Sequence, residues 1–237
     1  FFLKNKINLT KFVKKITSSP MNAKSGKKGI ERIPGPTLSR LCKIYGLLEE
    51  LGEKGEISIS SKYIGKRLGV GPHNIRKDVG YIGEAGTSGS GYDARKLKVQ
   101  IEEVLGLKKK RNACIIGLGT LGIVIINYQK TMFSNLRIAA GFDSNVNKLE
   151  TIQISIPVYP TYEIPEVVKR DHIELAVITE PVLNIEKIPG RLIQGGIKGI
   201  INFTPINLDL EYEKVHLRNI DIVSEFRYLS ALLNLSE

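Results

Sequence analysis

Cysteine and histidine are scarce in this chain, and long apolar runs are missing. Among 237 residues there are two cysteines and three histidines. Cys42 and Cys114 stand far apart in apolar-patterned segments, which excludes a disulfide framework and predicts buried, reduced thiols in a cytoplasmic protein. Any redox chemistry must then run through a bound cofactor. No metal-ligand cluster is visible, so no metal is expected. No stretch approaches the roughly 18 uncharged apolar residues that a membrane span needs. An apolar content of 42% still suffices to bury cores, and the length suits two modest domains.

Acidic residues are lacking at one end. Residues 1–111 hold 24 Lys/Arg against 10 Asp/Glu, whereas residues 112–237 hold 11 against 14, which together make the net +11. A basic half joined to a mildly acidic half predicts two kinds of partner, with a polyanion bound by the first. Part of the excess comes from residues 1–30, where eight lysines precede the first acid, Glu31. This Lys/Gly/Ser-rich stretch carries no apolar signal-peptide core and is expected to be a disordered basic extension. Residues 31–111 keep an excess of six without it, from 16 basic and 10 acidic residues.

From Ile33 the pattern sharpens. Pro36 suits a first helical turn, and Leu38, Leu41, Tyr45 and Leu48 recur at helical spacing. Ile57–Ile59 alternates as a short strand. Ser60 or Ser61 caps a second helix, Gly69-Val-Gly71 makes a tight turn, and Pro72 opens a third helix running to about Tyr81. Two short helices joined by a glycine-bearing turn form the helix-turn-helix pattern. Gly83, Gly86, Gly89 and Gly91 then punctuate a hairpin wing ending at Tyr92, and residues 97–107 read as a connecting helix. On the third helix Asn74, Lys77 and Tyr81 share one face with Arg76 beside it, and Asp78 could orient a basic neighbour. Donors at base edges give sequence readout, and cations on phosphates give affinity; Lys66 and Arg67 suit the second role.

Beyond Arg111 the rhythm changes to short apolar strands alternating with helices, the pattern of a parallel sheet. Strands are expected at 113–116, 136–142, 175–178, 199–203 and 220–223. The helix after the first is apolar nearly all round and should be buried on both sides. The turn between them reads Gly117, Leu118, Gly119, Thr120, Leu121, Gly122. A G-x-G-x-x-G that follows a strand, opens a helix and has an acid, Asp143, 21 residues beyond its last glycine is the dinucleotide-binding fingerprint. The first glycine allows the turn, the second lets backbone N–H groups approach the pyrophosphate, and the third lets helix and strand pack closely. Asp143 would accept from the ribose hydroxyls and repel a 2′-phosphate, favouring NAD(H). Leu229, Leu232 and Leu233 mark a final short amphipathic helix.

A dehydrogenase needs catalytic residues, and the sequence offers few. Tyr92 and Lys96 have the Tyr-x-x-x-Lys spacing of short-chain reductases but precede the glycine motif. His172 and His216 fall in charged, exposed-looking stretches, and His73 belongs to the reader helix. A nucleotide site without catalytic partners predicts a sensor. Two alternatives stay open: an NAD-dependent oxidoreductase carrying a nucleic-acid-binding appendage, and a nucleotide- or CoA-binding module with a structural role.

The order of these segments over roughly residues 32–234 resembles the Rex family of redox-sensing repressors. The likeness is carried by Ile33-Pro34, Asn74-Ile-Arg-Lys-Asp78, Tyr81-Ile-Gly83, Gly89-Ser-Gly-Tyr92, the glycine turn, Phe142-Asp143, and Gly196-Ile-Lys-Gly-Ile-Ile-Asn-Phe-Thr-Pro205. The resemblance implies a homodimer on double-stranded, pseudo-palindromic operator DNA, permitted by NAD⁺ and released by NADH. It implies that Thr179, Glu180, Pro181, Asn202, Phe203 and Thr204 line the nicotinamide side. It implies too that Tyr128 and Asp221 link the subunits and that Ile222 reaches toward the partner's pocket. The fold class is then α/β: a winged-helix domain over 31–107, a Rossmann domain over 108–223, and a swapped dimerisation helix over 224–237. Three departures stand out. Gly46 replaces an arginine that in some members engages the residue matching Asp221, which predicts a missing latch. Ser88 replaces a basic wing residue, and Pro189-Gly190 should interrupt the helix after Pro181.

Overall fold

The computed structural model describes residues 33–53, 58–83, 91–132, 135–208 and 215–236. The expected basic extension over 1–30 and the wing tip over 84–90, with Gly86, Ser88 and Gly89, lie outside the described residues. The chain forms two compact units that divide between Ile101 and Glu102.

In the first unit, helix α1 (Gly35–Glu53) buries Leu41, Ile44, Leu48 and Leu51. The 3-4-3 spacing holds but the stripe is shifted: Leu41 and Leu48 are in it as expected, whereas Leu38 is exposed and Tyr45 only half-buried, with Ile44 and Leu51 in their place. Cys42 follows Leu41 by one residue, and a helix turns about 100° per residue, so its thiol leaves the buried stripe. It is exposed, contrary to expectation, whereas Cys114 is buried. Strand β1 (Ser58–Ile59) precedes α2 (Ser61–Leu68). Ser60 is the cap, its hydroxyl accepting from the Tyr63 N–H at 3.1 Å. The turn to α3 (Pro72–Gly80) starts at Gly69, whose φ of 67° is the left-handed region that suits glycine. β2 (Tyr92–Asp93) pairs antiparallel with β1 at the base of the expected wing and leads into α4 (Ala94–Leu105). Asp78 does orient a basic residue, but one 38 positions away: its buried carboxylate takes both Arg40 Nε and a terminal nitrogen, at 2.6 and 2.8 Å, pinning α3 to α1.

The second unit is a six-stranded, wholly parallel sheet of β3 (Arg111–Ile116), β4 (Leu136–Asp143), β5 (Val158–Pro160), β6 (Ile173–Ile178), β7 (Gly199–Asn202) and β8 (His216–Asn219). The order across it is β5-β4-β3-β6-β7-β8, which, counted from β3, is the 3-2-1-4-5-6 winding of dinucleotide-binding folds. Alternate residues of β3 face opposite ways, as a pleated strand requires. Ala113 and Ile115 join the core with Ile126 of α5 (Thr120–Met132). Cys114 and Ile116 join the core with Val167 of α7 (Ile164–Arg170) and Leu192 of α8 (Ile188–Gly195). A short helix, α6 (Val146–Thr151), follows β4.

Three expectations are corrected. α5 covers the sheet with one side only; Leu121, Val124 and Tyr128 on the other are exposed in the chain. Pro189 does not interrupt a helix: it sits in the first turn of α8, where its missing N–H had no intrahelical partner to lose. Residues 220–223 are not a strand. Asp221 accepts from the Ser224 N–H at 3.1 Å and from its hydroxyl at 2.5 Å, and this cap starts α9 (Ile222–Ser236) at Ile222.

Candidate dinucleotide site and DNA-reading face

The sheet reverses its winding between β3 and β6, and ligands of open α/β sheets bind in the crevice beyond the strand ends at that point. The glycine turn leaves β3 there. Gly117 has φ of 90° and takes part in the sheet through its N–H, which donates to Phe142 O at 2.8 Å. A methyl group on it would lie 2.5 Å from Glu180 Cγ and 3.1 Å from the Glu180 nitrogen. One on Gly119 would collide with the Glu180 carboxylate, and one on Gly122 with the Gly117 carbonyl. Gly122 is required by close approach to main chain and Gly117 by its φ and the Glu180 backbone, whereas at Gly119 only the flexible Glu180 carboxylate stands in the way, and the cradle has the form a pyrophosphate needs. Leu118 is buried beneath the turn, while Thr120 and Leu121 are exposed at the start of α5.

Asp143 ends β4 beside this turn. Its Oδ2 accepts from the Leu118 N–H at 2.9 Å and pairs with Lys148 Nζ at 2.8 Å; its Oδ1 accepts from the Asn145 N–H at 2.9 Å. Burial pushes this carboxyl up, but the Lys148 ammonium and the two backbone donors outweigh it, leaving Asp143 below the usual carboxylate range. Oδ1 keeps lone-pair capacity for a ribose hydroxyl. Because the folded value is the lower one, the stabilisation is full above the ordinary carboxyl range near about pH 4 and is lost as pH falls through the folded value. Asp143→Asn should therefore lower stability at pH 7, by roughly 1.5–3 kcal/mol for a charged hydrogen bond. Denaturant unfolding from pH 7 to 2 should show that gap close; a constant gap would refute the linkage.

The residues after β6 and β7 serve different ends. Thr179 is buried, and its hydroxyl donates to Gly117 O at 2.6 Å, bracing the glycine turn from behind. Glu180 lies over the turn and Pro181 is exposed. Asn202 is buried and fully engaged: its amide donates to Ile206 O and to Asn219 Oδ1, each at 2.8 Å, while its oxygen accepts from the Thr204 N–H and hydroxyl. Asn202 and Thr204 thus shape the loop after β7, and half-buried Phe203 packs against the core below the crevice. Tyr128, Asp221 and Ile222 are exposed in the chain. His172 immediately precedes β6 and His216 begins β8, both at the N-terminal ends of parallel strands, whereas the glycine turn lies at the C-terminal end of β3.

On the first unit Lys66, Arg67, Asn74, Arg76 and Lys77 are exposed, with Tyr81 partly so, while Ile75, Asp78 and Val79 point inward. Arg67 already pairs with Glu50 at 2.8 Å, and Arg76 donates to Ser61 Oγ at 3.2 Å. Gly46 is exposed on α1 with open space where a side chain would stand. Sequence reasoning missed Arg40, Lys148 and Asn219. Lys148 had a local mark: Asn145 caps α6, and Lys148, three residues on, belongs to its first turn beside Asp143.

Two family models match, one described as a putative DNA-binding protein N-terminus over residues 32–79 and one as a CoA binding domain over residues 108–206. The redox-sensing transcriptional repressor Rex of Pediococcus pentosaceus is 36% identical over 193 residues, 81% of this chain and 92% of that protein. The solved structure of RSP, a Rex-family repressor, in complex with beta-NAD⁺ and operator DNA is 30% identical with a TM-score of 0.76, covering 87% of this chain and 94% of that one. RSP in complex with beta-NADH gives 28% and 0.75 over 88% and 97%.

Proposed function

The chain belongs to the Rex family of redox-sensing transcriptional repressors, and on that premise we propose that it binds operator DNA as a homodimer and releases it when NADH occupies the crevice at residues 117–122. The observation that carries this reading is the winding reversal. It gathers the glycine turn and Asp143 at the place where parallel sheets bind dinucleotides, on the same chain as a helix-turn-helix. Relatives of known structure hold NAD⁺ with operator DNA, and NADH.

Asn74, Arg76, Lys77 and Tyr81 are assigned to base edges and flanking phosphates in the major groove, and Lys66 and Arg67 to the backbone. Arg67 must exchange Glu50 for a phosphate to do so. Two such heads about a two-fold axis read a pseudo-palindrome. Support for the homodimer comes from α9, which buries none of its side chains in the chain yet carries Phe226, Tyr228, Leu229, Leu232, Leu233 and Leu235. The exposed stripe of Leu121, Val124 and Tyr128 on α5 is a second such surface. Burying each large side chain is worth about 1.5–3 kcal/mol, which favours a swapped arrangement over an isolated helix. Domain roles follow as 31–107 for DNA, 108–223 for the dinucleotide and the remaining helix for dimerisation, with Tyr128, Asp221 and Ile222 at the subunit junction.

Thr179, Pro181, Asn202, Phe203 and Thr204 are assigned to the nicotinamide side, where Thr179 and Asn202 act by holding the two loops in shape; Glu180, expected beside them, lies over the glycine turn instead. Phe203, with Ile222 contributed across the subunit junction, supplies an apolar surround that prefers the uncharged reduced ring to the cationic oxidised one. A regulator rather than an oxidoreductase is favoured because both histidines of this unit lie at the N-terminal ends of the strands, away from the crevice at the C-terminal ends. Among the described residues no helix is long and apolar enough to cross a membrane; the cytoplasm is assigned as the site of action because the proposed partner is operator DNA.

The test is a mobility shift with an inverted-repeat duplex. NADH should release the two-chain complex at concentrations where NAD⁺ does not. Retention unaffected by NADH would remove the sensing claim, and one chain per half-site with no pairing would remove the dimer.

A further inference from the structure

Given that dinucleotide phosphates settle on the glycine turn, which this inference takes from the proposed function, we propose that Glu180 is a built-in competitor for the phosphate cradle, held in place by Lys148. The three groups concerned come from three neighbouring strands. Lys148 follows β4 and Glu180 follows β6, and the turn that both flank leaves β3 between them. Lys148 Nζ lies 2.8 Å from Asp143 Oδ2 and 2.8 Å from Glu180 Oε1, so one ammonium spans the crevice mouth as a bridge between two carboxylates. The Glu180 side chain lies flat on the turn: its carboxylate fills the space where Gly119 lacks a Cβ, and its Cγ fills that of Gly117. The space that glycine keeps open for a pyrophosphate therefore holds an anion of the protein's own.

Two anions cannot share that cradle at contact distance without strong mutual repulsion. Binding a pyrophosphate requires Glu180 to swing out, which its half-exposed position allows, and to give up Lys148. Lys148 keeps Asp143 and turns its freed hydrogen-bonding capacity toward the incoming phosphate. The apparent affinity of any ligand carrying the diphosphate is then reduced by the fraction of molecules with the clasp open. NADH and NAD⁺ share the same ADP half, so the clasp sets absolute affinity without changing discrimination between them.

Calorimetry on the full chain with ADP-ribose, adenosine, NADH and NAD⁺ tests this. Glu180→Gln, which keeps shape and removes charge, and Glu180→Ala, which empties the cradle, should each tighten ADP-ribose about tenfold, as expected for losing one charge-assisted contact. NADH and NAD⁺ should tighten by the same factor, and adenosine, which has no phosphate, should not change. An unchanged or weakened ADP-ribose affinity in both variants would overturn the proposal. So would a shift confined to NAD⁺, which would put Glu180 at the nicotinamide instead. Failure of the parent chain to bind either NADH or ADP-ribose is a different result, one that overturns the dinucleotide reading itself.

Discussion

Replacing Gly122 by alanine should abolish the response to NADH while leaving operator binding in place. The added methyl group meets the Gly117 carbonyl oxygen, with Ile115 Cγ2 at 3.1 Å and Thr179 Oγ1 at 3.2 Å behind it. None of these gives way cheaply. The carbonyl is main chain and accepts the Thr179 hydroxyl at 2.6 Å, and Ile115 is in the core of β3. The start of α5 must therefore move off the strand, taking with it the backbone donors aimed at the pyrophosphate. Losing even one or two charge-assisted hydrogen bonds to the pyrophosphate, about 1.5–3 kcal/mol each, corresponds to a fall in NADH affinity of about 100-fold. The reading helix lies in the other compact unit and keeps its own core. Fluorescence titration of NADH and a mobility shift on the same preparation check both halves. An NADH affinity within about threefold of the parent would show that the turn is not the site.

The second large effect falls on the reading head. Asp78→Ala should remove operator binding and leave NADH binding unchanged. Asp78 is buried on α3, one turn from Asn74 and adjacent to Lys77, and it receives a two-pronged contact from Arg40 on α1. Deleting one member of a buried pair strands the other, at a typical cost of 3–5 kcal/mol. The Arg40 side chain is 26% exposed, so water relieves part of this and about 3 kcal/mol is the better figure. That is a large share of the roughly 5–15 kcal/mol that holds a domain together. Asp78→Asn keeps one acceptor and should fall between. Thermal unfolding resolved by unit, together with the mobility shift, reads the outcome; an operator affinity within about twofold of the parent would contradict the role given to this pair.

What was legible in the sequence was local. The glycine turn could be read because its spacing and the strand before it already specify the geometry, and Ser60 and Asp143 stood in recognisable places relative to their elements. Pairings that depend on sheet order could not be read. Lys148 meets Glu180 across 32 positions only because β3 lies between β4 and β6, and Asn202 meets Asn219 because β7 and β8 run side by side in register. Arg40 and Asp78 meet through a helix crossing that no periodicity encodes. Residues 220–223 failed for another reason. Three apolar residues in four, Ile220, Ile222 and Val223, suit strand and helix equally, and the choice was made by the Asp221 cap. The outward faces of α5 and α9 show a limit of a different kind: their apolar residues were visible, but hydrophobicity does not say whether the cover is the chain's own sheet or a second copy.

The central claim is that occupancy of the crevice by NADH and attachment to DNA oppose one another through a single free energy of coupling. Measuring NADH affinity on the free and the operator-bound protein, and operator affinity with and without saturating NADH, closes that cycle. The two ratios must agree, and a value of about 5–150-fold is expected for a coupled switch. Operator affinity that stays constant as NADH saturates its site would contradict the account.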